Sequence, residues 1–172
     1  MTRTPPLLPS EALMRTIRTA HLHGTMMMTI AGVFAVLAAV RGEVVPAAAG
    51  LLVAGAGAME RHGAMLMEAG EPRGIRWAMI AELLAMFFIL AYCQVRLIAI
   101  DLTPLRLLVN DELKRQLATE GIGIDEFLQY TYRLVYISLG ITTVIYQGAM
   151  AIYYLRRRRA VDTALAEEPE AI

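Results

Sequence analysis

Apolar residues in this chain come in four unbroken stretches rather than at the spaced intervals of a water-soluble helix. They cover residues 25–40, 44–59, 77–95 and 134–155. The third contains a single acid, Glu82, and the fourth contains no charged residue. A helix needs about 20 apolar residues to cross a hydrocarbon core. The last two stretches reach that length alone, and the first two reach it with weakly polar flanks such as residues 20–24. Strands of a membrane barrel would alternate apolar and polar side chains, and these do not. The pattern therefore predicts an all-α integral membrane protein: four transmembrane helices in an antiparallel bundle, over about 22–40, 44–66, 75–100 and 133–155.

The segments between them predict how the chain is threaded. Arg41, Gly42 and Glu43 make so short a connection that the first two helices form a hairpin, with Pro46 tolerated in the first turn of the second. Residues 68–74 carry the Gly and Pro breakers of a second tight turn. An outer loop over 101–132 is the only long connection. In it Thr103 suits an N-cap and Pro104 the first helical position, and Leu105, Val109, Leu113 and Leu117 form an i, i+4 stripe. Asp111 and Arg115 are spaced to pair, and Asp125 is placed to cap the last helix. A short amphipathic helix on the outer membrane face is expected there.

Residues 1–24 read as a tail followed by another amphipathic helix. Leu13, Met14, Ile17 and Ala20 share one face, with Glu11, Arg15, Arg18 and Thr19 opposite, a pattern suited to the headgroup boundary. The first apolar stretch begins too far from the N-terminus for an ordinary signal peptide and is expected to be retained. Residues 156–172 read as a tail, basic and then acidic. Residues 2–9 and 167–172 have the composition of disordered ends.

Hydrophobic residues make up 57% of the chain and charged residues 19%, so the charge is segregated rather than scarce. Basic residues set the orientation. Arg3, Arg15, Arg18, Arg61, Arg73, Arg76, Arg156, Arg157, Arg158 and Arg159 fall on the side of the termini. They outnumber Arg41, Arg96, Arg106, Lys114, Arg115 and Arg133 on the other. Both termini are expected in the cytoplasm, in the inner membrane if the source is bacterial. The terminal arginines Arg15, Arg18 and Arg156 to Arg159 can also meet acidic lipid. The net charge is zero, so no nucleic-acid partner is expected.

Few residues carry candidate chemistry. Counted from the second turn, Glu60 and Glu82 lie at similar depth, roughly 12–15 Å along their helices. Adjacent antiparallel helices then let Arg61 meet Glu82, or let the two acids converge. Ionisable groups at membrane depth are costly, and are usually paired or functional; a structural or interfacial ion pair is the plainer reading. Ala47, Gly50, Ala54 and Gly57 on the second helix, with Gly140, Thr143 and Gln147 on the fourth, form faces that allow close helix packing, within the chain or against another copy or a partner subunit. Tyr130, Tyr132, Tyr136, Tyr153 and Tyr154 suit interfacial belts.

No cofactor or metal is expected. His21 and His23 are two apart and point about 200° apart on a helix. No pair of histidines has i, i+4 spacing, and the methionines serve as core fillers. Cys93 has no partner cysteine in the chain, and phosphate-binding, dinucleotide, serine-hydrolase and zinc-protease motifs are missing. The expectation is a non-enzymatic accessory or scaffold subunit of a membrane assembly, in contact with the bilayer and self-associating or bound to a partner. The alternative is a small transporter or ion-translocating unit using Glu60, Arg61 and Glu82.

Overall fold

A computed structural model describes residues 8–167. Six helices follow one another: α1 (Pro9–Val40), α2 (Val44–Glu68), α3 (Gly74–Ile98), α4 (Thr103–Arg106), α5 (Asp111–Glu120) and α6 (Ile124–Glu167). Four of them, α1, α2, α3 and α6, are long and apolar enough to cross a membrane. Helices suit that environment because each satisfies its own backbone polar groups where no water is present. α1 packs on α2, α2 on α3, and α6 returns along α3 and α1. The result is a four-helix membrane bundle with the short helices α4 and α5 between its third and fourth members.

Both tight turns rest on a glycine in the left-handed region. Gly42 has φ +75° and Gly70 φ +78°. At each, the next residue's N–H returns to a carbonyl of the preceding helix: Glu43 to Ala38 at 2.9 Å and Glu71 to Leu66 at 2.8 Å. This arrangement closes a helix end, and a side chain in that conformation would cost about 1 kcal/mol or more.

The bundle is longer than its apolar stretches. The expected N-terminal interfacial helix is not a separate element, because α1 runs through it without a break. Its apolar face does not lie on lipid. Leu13, Ile17 and Ala20 join Ala64 and Met67 of α2, Ile75 and Ala78 of α3, and Tyr154, Val161, Ala164 and Leu165 of α6 in one buried cluster. Met14, expected on the same face, is exposed. The segment expected as a C-terminal tail is likewise helical through Glu167. Each amphipathic end therefore finds its apolar partner in the other. The expected tail residues 2–7 and 168–172 lie outside the described residues.

The outer loop also differs in detail. Its apolar stripe is divided between α4 and α5. Asn110 caps α5 by accepting from the Leu113 N–H at 2.8 Å. Leu102 rather than Thr103 precedes α4, and the Thr103 N–H donates to the Asp101 carboxylate at 3.0 Å. Asp111 pairs with Lys114 at 2.9 Å instead of with the Arg115 guanidinium, which lies 3.7 Å from Glu112. Asp125 takes an ion pair from Arg106 at 2.9 Å. A side chain whose partners are one residue apart takes the one it reaches with less extension, which spacing rules alone do not resolve.

Candidate functional site

The position of the site follows from where glycine lets helices touch. Glu60 stands three residues from Gly57 on one side and from Gly63 on the other. Gly57 meets α1: a Cβ there would lie 2.7 Å from both the Gly24 carbonyl oxygen and the Met28 nitrogen. Gly63 meets α3, where a Cβ would lie 2.6 Å from the Gly74 carbonyl oxygen and 2.9 Å from the Ala78 nitrogen. Neither position has room for a side chain. The two contacts draw backbones together on either side of Glu60, and place His23 (beside Gly24) and Glu82 (one turn beyond Ala78) against it. In lipid, where apolar surface gains nothing by leaving its solvent, such close backbone approach is what binds helices.

The three side chains meet at one point. His23 Nδ1 lies 2.8 Å from Glu60 Oε2 and 3.1 Å from Glu82 Oε1. Tyr154 of α6 donates its hydroxyl to Glu60 Oε1 at 2.5 Å. Glu60, Glu82 and Tyr154 are fully buried, and only the His23 side chain, 14% exposed, has an outward face. The Tyr146 ring stands beside it, centroid to centroid 5.5 Å. α1, α2 and α6 all leave their apolar stretches at this level, so the cluster marks the junction between lipid-facing bundle and helical extension.

The two carboxylates are not equivalent. Each oxygen of Glu60 accepts a hydrogen bond, one from Tyr154 and one from His23. Glu82 Oε1 lies 3.1 Å from the same imidazole nitrogen, the longer of its two approaches. Both oxygens of Glu82 are left buried without a hydrogen-bond partner. With both acids ionised, even an imidazolium leaves one negative charge over, which a proton or a cation makes up. At the 4.8 Å within which the three donor atoms lie, two carboxylates repel by about 3–4 kcal/mol for an effective dielectric of 20.

Arg61, expected as a partner of Glu82, is exposed and outside the cluster. Consecutive residues on a helix point about 100° apart, so a buried Glu60 turns Arg61 outward. The histidine that joins the acids is His23, which does so alone rather than as one of a pair. Its neighbour His21 turns away to Glu68 at 3.0 Å, and His62 stacks edge-on against Trp77. A signal was present: His23 and Glu60 stand almost equally far along the chain on either side of Gly42, so an antiparallel hairpin sets them level.

The remaining candidates lie apart from the cluster. Gly50, Ala54 and Gly57 are buried and Ala47 half-buried; Gly50 accommodates Ala31 and Ala35 of α1. Thr143 and Gln147 are buried. Gly140 is half-buried with Leu90 beside it. The Gln147 side-chain nitrogen points to the Met27 sulfur at 3.8 Å. Arg15, Arg18, Arg156 and Arg159 are exposed on the extension, Arg157 stacks on Tyr153 and Arg158 reaches Asp162 at 3.8 Å. Comparison with protein-family models, curated proteins and solved structures finds no match to this chain. Its function must therefore be read from the geometry.

Proposed function

We propose that this chain is a small ion-handling membrane protein that holds a metal cation at His23, Glu60 and Glu82. One observation carries the reading: two fully buried carboxylates converge on a single imidazole, and no Lys or Arg among the described residues pairs with either. Buried charge that is not matched is expensive, by several kcal/mol per ion. Ionisable groups inside a membrane bundle are costly, and ion pathways are among the functions they mark. A bound cation supplies the missing charge, and the partly exposed His23 gives it a way in and out. His23 thus takes the place that sequence reasoning gave to Arg61. With both termini in the cytoplasm, as the arginine distribution favours, the site opens near the cytoplasmic face.

The test is cation flux into vesicles reconstituted with the purified chain, with wild type and Glu82→Gln run in parallel. Wild type is expected to carry a cation that Glu82→Gln does not carry. Equal flux in the two proteins removes the site from the mechanism.

A second reading, an accessory subunit of a membrane assembly, has a different support. α6 is the least enclosed span, 11% buried over its most apolar window against 39% for α2. Along it Ser138, Thr142 and Tyr146 lie exposed at i, i+4 and i+8. Polar groups facing lipid at that spacing suit a neighbouring helix. Crosslinking from a cysteine at Thr142 in native membranes tests it: a discrete larger species supports the subunit reading, and its absence removes that support.

A further inference from the structure

The nature of the cation can be taken further, and this step rests on the reading of the cluster as a cation site. We infer that His23 Nδ1, a carboxylate oxygen of Glu60 and a carboxylate oxygen of Glu82 are the ligands of one divalent transition-metal ion. Four observations converge on it.

The first is donor chemistry. One imidazole with two carboxylates suits zinc, manganese, iron or cobalt, whereas calcium and magnesium take all-oxygen shells. The second is spacing. Ligands at 2.0–2.2 Å from a tetrahedral ion stand about 3.4 Å from one another, and the imidazole nitrogen already lies 2.8 and 3.1 Å from the two carboxylates. All three donor atoms lie within 4.8 Å of one another, so side-chain adjustment about the shared imidazole can bring them to coordinating distance. The third is charge. A divalent ion with two carboxylates and an imidazole that has given up its Nδ1 proton to solvent as the ion binds sums to zero, the balance that a buried site in a membrane requires.

The fourth is the unpartnered acid. Glu82 is fully buried, and apart from the shared imidazole nitrogen 3.1 Å from Oε1 neither of its oxygens has a polar partner, which leaves it free to ligate. Glu60 is built differently. Tyr154 holds its far oxygen at 2.5 Å and leaves the near one toward His23. A hydroxyl that fixes a ligating carboxylate in this way acts from outside the coordination shell, and loss of such a contact typically weakens metal binding 10–100-fold. Tyr154 is thus a positioning residue. Three protein ligands leave a fourth position open, which an ion that must leave again, or bind a further group, needs.

The test uses the full chain in mild detergent, stripped with a chelator and titrated with Co²⁺, whose visible absorption reports coordination number and ligand type. Wild type is expected to bind one ion per chain, with the intense spectrum of a four-coordinate site, and to release it to Zn²⁺. Glu82→Gln and His23→Ala are expected to lose the spectrum. Tyr154→Phe is expected to keep it with affinity reduced 10–100-fold. His21→Ala, whose imidazole lies on Glu68 outside the cluster, is expected to match wild type. Size-exclusion profiles show which variants remain folded, and His21→Ala controls for general loss of imidazole.

The inference is overturned if folded wild type gives no cobalt spectrum, or if Glu82→Gln binds cobalt as tightly as wild type. Should vesicles still carry an alkali cation in a Glu82-dependent way, the broader reading stands and only the transition metal is withdrawn. Loss of both results withdraws both.

Discussion

The two ends of this bundle use the same four helices and are enclosed in opposite ways. At the end that carries the termini, large side chains are fully buried: Met67, Ile75, Tyr154 and Val161 lie in one cluster with Leu13 and Ile17. At the other end, α1 and α2 turn their large side chains outward as they approach their hairpin. Val40 is 82% exposed and Val44 77%, while the residues these two helices bury there are small, such as Ala35, Ala38 and Pro46. The hairpin end has lipid for a solvent, so its apolar side chains need no burial and its helices touch through small residues. The terminal end packs its side chains inward, as a water-soluble bundle does. His23, Glu60 and Glu82 stand where one regime gives way to the other.

That contrast can be broken most severely at the glycine contacts. Gly57→Leu forces a side chain into a gap where even a Cβ would clash with α1, and is expected to cost about 3 kcal/mol and to part His23 from Glu60. Gly55→Leu, two residues away and facing open space, is expected to leave the fold intact. Thermal unfolding and size-exclusion profiles of the two proteins check the pair.

Next comes the extension. Ile17→Ala removes a buried side chain from the terminal cluster and is expected to cost about 2–4 kcal/mol in reversible unfolding. A helix end lying flat on the membrane surface would lose far less, so a near-zero cost would return residues 9–20 to an interfacial role.

At the hairpin end the expected effects are smaller. The Arg96 guanidinium stands 5.7 and 5.8 Å from the centres of the Tyr132 and Tyr136 rings, and its Nε donates to the Tyr136 hydroxyl at 3.2 Å. Arg96→Ala is expected to cost about 0.5–1 kcal/mol, read as a small fall in melting temperature.

The smallest effect lies in α5. Lys114 holds the Asp111 carboxyl below its ordinary value of 3.8. A depressed folded value contributes stability above the ordinary value and loses it as pH falls through the folded one. Acidification below that range is therefore expected to speed amide hydrogen exchange in α5 before the spans respond.

How much of this was legible in the sequence depended on whether partners were near or far along the chain. The four spans could be read because lipid selects composition residue by residue. The shared depth of Glu60 and Glu82 could be read because one short turn joins α2 to α3, and counting from it is geometry. His23 is open to the same counting across Gly42, but histidine spacing within one helix carries no sign of a lone imidazole that meets two acids from other helices. The amphipathic face of Leu13 and Ile17 was visible. Its partner was not, because Val161, Ala164 and Leu165 lie at the other end of the chain behind a block of arginines. Arg61 falls outside for a local reason: it lies about 100° round the helix from Glu60, on a side that is exposed at this level.

The central claim, that the buried acids are held together by a cation, is tested most directly by the melting temperature of the purified chain. Wild type and Glu82→Gln are stripped with a chelator and supplied with cations one at a time. At least one cation is expected to raise the melting temperature of wild type and to leave that of Glu82→Gln unchanged. A wild type indifferent to every cation, or a Glu82→Gln protein that responds equally, contradicts the account.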